Sequence, residues 1–442
     1  MHNAVQKLGL SHVEERGRMD SLSVELVLGL TGLVILVGLA GELAFKRTGI
    51  PSVLFLMGFG ILLGPVFHVA EPTAVMKLAP YFGTLALLII LFDGGINLHI
   101  MKVVSETPMA LLYSVLVFGL TILTIMGFYV WITHASWLHG LLLGTILGGT
   151  AAAIIIPVTS HMSSLRDSTK VLLSLDSAIS EVFVVVLALA LMGTMKDPGG
   201  GGHFIREVFH AFWDAIMLAL LAGALWARLL TWLEGQALSY MLTMAAILVL
   251  YYVAELIGAN GAITILLFGL VLSNMEFLVG HMVRPIRVMI GYELDQAKFV
   301  LSEFMKRMHE ELSFLVRTFF YVLLGLILDF SALTFDIALM SLSLFCIVVL
   351  VRAGVTESLA RATGAWSSSE RWVIAAMFPR GVATAVMAFL PISTGIRGTE
   401  LFPIYALTVI VFCVLGMTLV LTLYQRRHPS STDESVPEPS VS

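Results

Sequence analysis

The stretches GGTAA (residues 148–152) and FPRGVAT (residues 378–384) each interrupt a long apolar block. Pro379 removes a backbone hydrogen-bond donor, and Gly381 permits backbone angles that other residues avoid. Backbone that leaves the helix at membrane depth survives only where it is buried in protein or lines a cavity. The sequence therefore predicts two interrupted helices within a membrane domain.

The composition identifies a membrane protein. The chain has 442 residues, of which 58% are hydrophobic and 12% are charged, with a mean hydropathy of +0.95. Soluble domains have about 45–50% apolar and about 25% charged residues, so an ordinary soluble enzyme and a disordered chain are both excluded. A net charge of −5 without a basic run argues against nucleic-acid binding. The apolar blocks are longer than barrel strands, so helices span the lipid bilayer.

Thirteen apolar blocks are long enough to be helices. They lie near residues 22–45, 50–68, 78–98, 108–132, 137–160, 169–195, 208–232, 237–257, 260–275, 312–329, 335–360, 371–391 and 402–425. A polar segment, residues 1–21, precedes them. Residues 426–442 follow them, and their Ser, Pro, Glu and Asp content predicts a disordered cytoplasmic tail.

The two interrupted blocks are the fifth and the twelfth, seven positions apart. The same offset relates blocks one to six to blocks eight to thirteen. Because each half has six helices, an even number, the chain leaves a half on the side of the membrane where it entered. The single helix between the halves then takes the chain to the other side, so the second half has the inverted orientation. We therefore predict an all-α polytopic membrane protein with two inverted six-helix repeats, over about 22–195 and 237–425, joined by a linker helix at 208–232. Interrupted helices at matching places in inverted halves indicate a transporter site near the membrane midplane.

Lysine and arginine set the orientation of the chain. With the C-terminus in the cytoplasm and the N-terminus outside, fifteen of these residues lie on the cytoplasmic side and seven outside. We expect a multi-pass protein of the plasma membrane. Residues 293–311 have helical amphipathic spacing, which predicts either a helix at the cytoplasmic interface or a linker helix packed on the protein.

Ionisable side chains deep in a membrane span are functional candidates because each costs several kcal/mol. On the sixth block, Ser177 and Glu181 are four residues apart and share one helix face. Asp176 and Glu181 are separated by ~140° around the helix axis, so both cannot face one small cavity. The deep candidates are Asp93, Asp176, Glu181, Arg317, Arg352 and Arg380.

Three motifs carry a family resemblance. They are LFDGGINL at residues 91–98, ELSFLVRTFF at 311–320 and FPRGV at 378–382. In order and spacing they resemble the third, tenth and twelfth helices of the sodium/proton exchanger branch of the cation–proton antiporter superfamily, and most closely its NhaP-type members. The resemblance covers residues 22–425 and implies an NhaA/NhaP-like antiporter fold.

The sequence departs from this family at two helices. The family's sixth helix usually reads Glu-Ser-x-x-Asn-Asp, whereas residues 176–181 read Asp-Ser-Ala-Ile-Ser-Glu. The resemblance thus places Glu181 where the family has its ion-binding Asp, with Ser180 in place of the Asn. The family's fifth helix usually has Thr-Asp-Pro, but residues 150–152 read Thr-Ala-Ala, so the second carboxylate is missing.

The resemblance implies a role for each candidate residue. Glu181 binds Na⁺ or K⁺ in exchange for H⁺, with neutral oxygens from Thr150, Ser177 and Ser180. Asp176 and Arg380 form a structural ion pair. Asp93 and Arg317 have a gating or structural role. The resemblance further implies a homodimer, and we expect neither a cofactor nor enzymatic activity.

The expected function is electroneutral Na⁺/H⁺ or K⁺/H⁺ antiport at one buried carboxylate. Three alternatives stay open. A transporter of an organic anion would use Arg380 at the helix break. An intramembrane enzyme would need a nucleophile–base pair or a metal cluster, and the sequence has no His-Glu-x-x-His motif. A transport-deficient regulatory relative would account for the substituted motifs.

Overall fold

The structure is a computed structural model that describes residues 24–48, 51–67, 72–97, 108–160, 162, 165–196, 204–232, 239–275, 303–327 and 333–427. These residues form helices at each of the thirteen predicted blocks and contain no strand. The helices are α1 (Val24–Thr48), α2 (Ser52–Ile61, extended by a π-helical turn Leu62–Val66), α3 (Pro72–Asn97), α4 (Pro108–Thr133), α5a (Trp137–Gly148), α5b (Ala152–Ser160), α6 (Asp167–Lys196), α7 (Phe204–Trp232), α8 (Ser239–Leu256), α9 (Gly261–Ser273), α10 (Glu303–Ile327), α11 (Phe335–Thr363), α12a (Ser368–Ala376), α12b (Val382–Ser393) and α13 (Phe402–Arg427).

Both predicted interruptions are confirmed. Helix α5a ends before Gly149, whose backbone is extended (φ −78°, ψ 159°). Helix α12b begins after Gly381, which is also extended (φ −125°, ψ −159°). Residues 377–381 are not helical, so the chain crosses the interior of the protein as non-helical backbone at this point.

Seven helical stretches in the described residues are long and apolar enough to cross a membrane, and five further blocks form shorter apolar helices; α10 is in neither group. Helix α13 runs to Arg427, two residues into the tail that was expected to begin at residue 426. The rest of that tail and residues 1–21 lie outside the described residues.

The helices pack in pairs that repeat under the offset of seven. Helix α2 packs on α10, and α9 packs on α3 in the same way. Likewise, α4 packs on α6, and α11 packs on α13. The packing separates a crossing bundle (α4–α6 and α11–α13) from a flanking bundle (α1–α3 and α7–α10). The two bundles meet chiefly where α12b packs on α3, next to the interrupted helices.

Close helix contacts in the flanking bundle depend on glycine. A Cβ atom added at Gly60 of α2 would overlap the carbonyl oxygen of Val322, and one at Gly325 of α10 would overlap that of Met57. The equivalent α3–α9 contact also uses a glycine on each helix. Small residues let membrane helices approach closely, and this approach holds the two halves together.

The amphipathic helix predicted at residues 293–311 is described only in part, because residues 293–302 lie outside the described residues. The structure describes residues 303–311 of this segment, and they form the first turns of α10, continuous with the predicted span at 312–329. No proline or glycine lies between residues 303 and 324 to end the helix. His309 on this segment is buried in the protein, with 2% of its surface exposed.

The glycine contact predicts a matched pair of stability effects. Gly60→Ala should destabilise the protein by about 1–3 kcal/mol, because a methyl group forces the α2 and α10 backbones apart. Gly58→Ala on the same helix meets open space and should leave the melting temperature unchanged or raise it slightly. Thermal unfolding of the detergent-solubilised variants measures both; equal melting temperatures would contradict the contact.

Candidate functional site

The two interrupted helices are joined directly at their breaks. The backbone N–H of Ala151 donates a hydrogen bond to the carbonyl oxygen of Pro379, at 3.0 Å. A Cβ atom added at Gly381 would lie 2.7 Å from the Cβ of Ala151. The crossing is therefore so tight that glycine is required at position 381, and two backbone groups freed by the breaks satisfy one another.

Glu181 of α6 lies at this crossing. Its carboxylate accepts a hydrogen bond from the backbone N–H of Ala152, the first residue of α5b. Its Oε1 atom would be 3.5 Å from a Cβ atom added at Gly381. The side chain is half-buried, and the positive end of the α5b dipole faces it. The structure thus places the predicted acid against both helix breaks.

Thr150 and Ser180 form a second connection between α5 and α6. The Ser180 hydroxyl accepts from the backbone N–H of Thr150 at 3.0 Å and lies 2.9 Å from Thr150 Oγ1. Because Ser180 donates its own proton to the carbonyl of Ser177, at 3.2 Å, Thr150 is the donor in the hydroxyl pair. Both lone pairs of Thr150 Oγ1 then remain available to a cation.

Ser177 is less available as a cation ligand than Thr150. Its side chain is fully buried, and its hydroxyl donates to the carbonyl oxygen of Ser174 on the same helix, at 3.0 Å. Its predicted role as a ligand depends on the oxygen lone pairs alone.

The predicted ion pair of Asp176 with Arg380 is corrected. Asp176 Oδ2 lies 2.8 Å from Nη2 of Arg352, on α11, and both side chains are 1% exposed. Arg352 also donates from Nε to the carbonyl oxygen of Ile374, at 3.0 Å, and stacks over the ring of Tyr113. The pair therefore joins α6 to α11 and to the end of α12a, and Asp176 is on a different side of α6 from Glu181, as the helical spacing predicts.

Arg380 is buried at the α12 break, with 1% of its surface exposed. Its Nε and Nη1 atoms have no hydrogen-bond partner among the described residues. Asp176 is close enough to interact with it electrostatically, but the direct contact is with Arg352. The structure gives Arg380 no exposed face on which an anion would bind.

Asp93 of α3 and Arg317 of α10 are brought together, a pairing that the sequence did not predict. Arg317 Nη1 lies 3.7 Å from Asp93 Oδ2. Both groups interact electrostatically with Glu181, so this pair of the flanking bundle faces the acid of the crossing bundle. His309 Nε2 lies 3.5 Å from Asp93 Oδ1, which the sequence did not predict.

A polar cluster closes the opposite end of α12a. Glu370 accepts from Arg166 Nε at 2.8 Å and from Thr169 Oγ1 at 2.7 Å. Its second oxygen accepts from Arg166 Nη2 and completes a capping box with Ser367. The cluster fixes the start of α12a to the start of α6. These donors, Arg166 first among them, hold the pKa of Glu370 at about 2, below its ordinary value.

Two crossed, interrupted helices that face a half-buried carboxylate define a membrane transporter of small ions. The sequence profile described as "Sodium/hydrogen exchanger, transmembrane" matches residues 32–424. The chain therefore belongs to the family of transmembrane sodium/hydrogen exchangers.

Individual relatives agree with this assignment. The K⁺/H⁺ antiporter NhaP2 of Shewanella sp. (strain MR-4) is 26% identical over 92% of this chain and 68% of its own. The K⁺/H⁺ antiporter NhaP of Alkalimonas amylolytica is 23% identical over 88% of this chain and 64% of its own. The structure of the sodium proton antiporter MjNhaP1 from Methanocaldococcus jannaschii covers 91% of this chain and 96% of that protein, with 20% identity and a TM-score of 0.70, and confirms the predicted fold.

The corrected ion pair predicts a strong energetic coupling. Arg352→Met should destabilise the protein by about 3–5 kcal/mol, because Asp176 is left as an unpaired buried charge. Asp176→Asn in the same protein should recover much of that loss. A double-mutant cycle on thermal unfolding measures the coupling; a larger coupling of Asp176 to Arg380 than to Arg352 would restore the pairing first predicted.

The Glu370 cluster predicts a pH-dependent contribution to stability. Since the pKa of Glu370 is lowered on folding, its contribution is complete above the ordinary glutamate pKa and is lost as pH falls toward 2. Glu370→Gln should therefore lower the melting temperature at pH 7, and the difference from wild type should shrink below about pH 4.5. A difference that stays constant down to pH 3 would show that Glu370 is not held by its charge.

Proposed function

We propose that this protein is an alkali-cation/proton antiporter that exchanges one cation for one proton at Glu181. The observation that carries the proposal is the half-buried Glu181 carboxylate at the crossing of two interrupted helices. Membership of the exchanger family supports the reaction class. The position of Glu181 at the helix crossing supports its assignment as the residue that binds cation and proton in turn.

Competition for one carboxylate produces the exchange. A hard monovalent cation prefers oxygen ligands, and the ionised Glu181 side chain offers two. Thr150 Oγ1, on the neighbouring break, offers a neutral oxygen whose lone pairs are not used. A protonated Glu181 cannot bind a cation, so proton and cation occupy the site in turn. Opening the site alternately to the two sides of the membrane completes the cycle.

The distribution of charge supports one-for-one, electroneutral exchange. Position 151 is Ala, so the crossing has no second acid from α5. Asp176 is paired with Arg352, and Asp93 is paired with Arg317. Among the described residues no arginine or lysine forms an ion pair with Glu181. We therefore assign the titrating carboxylate to Glu181 alone.

The cation is K⁺ or Na⁺. The two antiporters compared by sequence are named for K⁺/H⁺ exchange, and the matched structure is that of a sodium proton antiporter. We also propose a homodimer in the plasma membrane with its C-terminus in the cytoplasm. The family resemblance supports the homodimer, and the distribution of lysine and arginine supports the orientation.

The organic-anion alternative is not favoured, because Arg380 is buried and offers no open surface. A transport-deficient relative is distinguished by activity alone: it would fold and show no exchange with any alkali cation.

Exchange is tested in proteoliposomes that contain a pH-sensitive dye. Addition of Na⁺ or K⁺ should dissipate a preformed proton gradient with wild-type protein, whereas Glu181→Gln should reduce the rate to the level of empty vesicles. Glu400→Gln, an exposed acid on a loop, is the matched control and should keep wild-type exchange. Exchange by Glu181→Gln would refute the site, and inactive wild-type protein would favour the transport-deficient relative.

Stoichiometry is tested by imposing a membrane potential of either sign on the same vesicles. One-for-one exchange moves no net charge, so the rate and the end point should not depend on the potential. A rate that follows the potential would contradict the single-carboxylate account.

A further inference from the structure

A cleft lies between α11 and α12a, on the outside of the crossing bundle. Its volume is about 280 Å³, and two alanines, Ala353 and Ala375, line it together with Glu357, Arg371 and Trp372. Because alanine has no side-chain atom beyond Cβ, the two helices leave space between them at this point. The antiport cycle at Glu181 uses none of these residues.

The cleft continues the face of α11 that is turned to lipid. Leu342 and Leu350 are large, exposed apolar side chains of this membrane-spanning helix, and their helical spacing leads on to Ala353 and Glu357. Trp372 of α12a is 66% exposed, and tryptophan is enriched where a membrane helix meets the lipid headgroups. The cleft therefore opens at the boundary between the apolar and the charged part of this surface.

The charged end of the cleft is net positive. Glu357 Oε1 lies 2.8 Å from Nε of Arg361, and Glu357 Oε2 lies 3.3 Å from Nη1 of Arg371. Two guanidinium groups thus share one carboxylate. The neighbouring acid Glu370 is paired with Arg166 and adds no net charge. Each guanidinium has five N–H donors, and the Nε atom of Arg371 has no hydrogen-bond partner among the described residues.

We propose that this cleft binds an anionic phospholipid, with the phosphate at Arg361 and Arg371 and an acyl chain along Trp372. Arginine binds phosphate oxygens through paired N–H donors. Basic pockets between membrane helices on the cytoplasmic side bind anionic headgroups, and the proposed orientation of the chain places the end of α11 on that side. The bound lipid joins α11 to α12a, the helix that leads into the break at Pro379.

The lining of the cleft favours a lipid over a soluble anion. A free phosphate ion would neutralise the arginines but would leave the alanines and Trp372 without an apolar partner. A neutral lipid would cover the apolar surface but would leave the positive charge uncompensated. A phospholipid with a net negative headgroup satisfies both parts of the site.

Quenching of tryptophan fluorescence by brominated lipids tests the proposal without measuring exchange. The protein is reconstituted in vesicles of phosphatidylcholine and phosphatidylglycerol, with bromine on the acyl chains of one lipid or the other. Subtracting the emission of Trp372→Phe isolates the tryptophan at the cleft. At equal mole fractions, quenching should show about fivefold tighter binding of phosphatidylglycerol, the factor expected for one net positive charge near the membrane surface.

Two variants should shift this preference in opposite directions. Arg371→Gln leaves the cleft without net charge, so the preference for phosphatidylglycerol should disappear. Glu357→Gln leaves two positive charges, so the preference should rise to about 25-fold. Arg397→Gln, an exposed arginine between α12b and α13, is the matched control and should keep the wild-type preference.

Equal quenching by the two lipids in the wild type would overturn the proposal, and this comparison decides the matter even if a variant does not fold. A shift of both variants in the same direction would also overturn it. Glycerol 3-phosphate carries the phosphate without acyl chains; if it abolished the preference, the ligand would be a soluble phosphate and not a lipid. None of these results depends on exchange at Glu181, so the proposed function is tested separately.

Discussion

The hydrogen bond from Ala151 N–H to the Pro379 carbonyl is the contact on which the site depends. Each helix break frees backbone groups in the buried interior of the protein, and each unsatisfied group there costs several kcal/mol. Joining the two breaks satisfies a donor of one with an acceptor of the other. The close approach leaves room for glycine alone at position 381, and it directs the N-terminus of α5b at Glu181. The fold thus creates a polar site at membrane depth from backbone, with one carboxylate.

The other deep acids are paired with arginine, which leaves Glu181 as the acid that can gain and lose a proton. Asp176 is held by Arg352 on the far side of α6, where the pair ties three helices together. Asp93 and Arg317 compensate one another across the contact of α3 and α10. An acid without an arginine partner can change its protonation at little structural cost, whereas a paired one cannot. The division between structural and exchanging acids therefore follows from which helix face each occupies.

The sequence predicted the architecture because hydropathy, proline and glycine act locally. Thirteen helices, two interruptions and the separation of Asp176 from Glu181 all follow from spacing along the chain. The partner of Asp176 does not follow from spacing along the chain. Arg352 and Arg380 are both deep cations, and the choice between them depends on how α11 and α12a pack on α6. His309 was missed for a related reason: residues 303–311 have an amphipathic pattern, which is also typical of a helix at the membrane surface.

The account depends most directly on the coupling of one cation to one proton at Glu181. Proton release on addition of Na⁺ or K⁺ to the detergent-solubilised protein in weak buffer, followed from pH 5 to pH 9, measures this coupling without transport. The account predicts that release by the wild type approaches about one proton per cation bound at the acid end of this range, where Glu181 holds a proton before the cation binds, and that Glu181→Gln releases none. Cation binding without proton release, or equal release by both proteins, would contradict it.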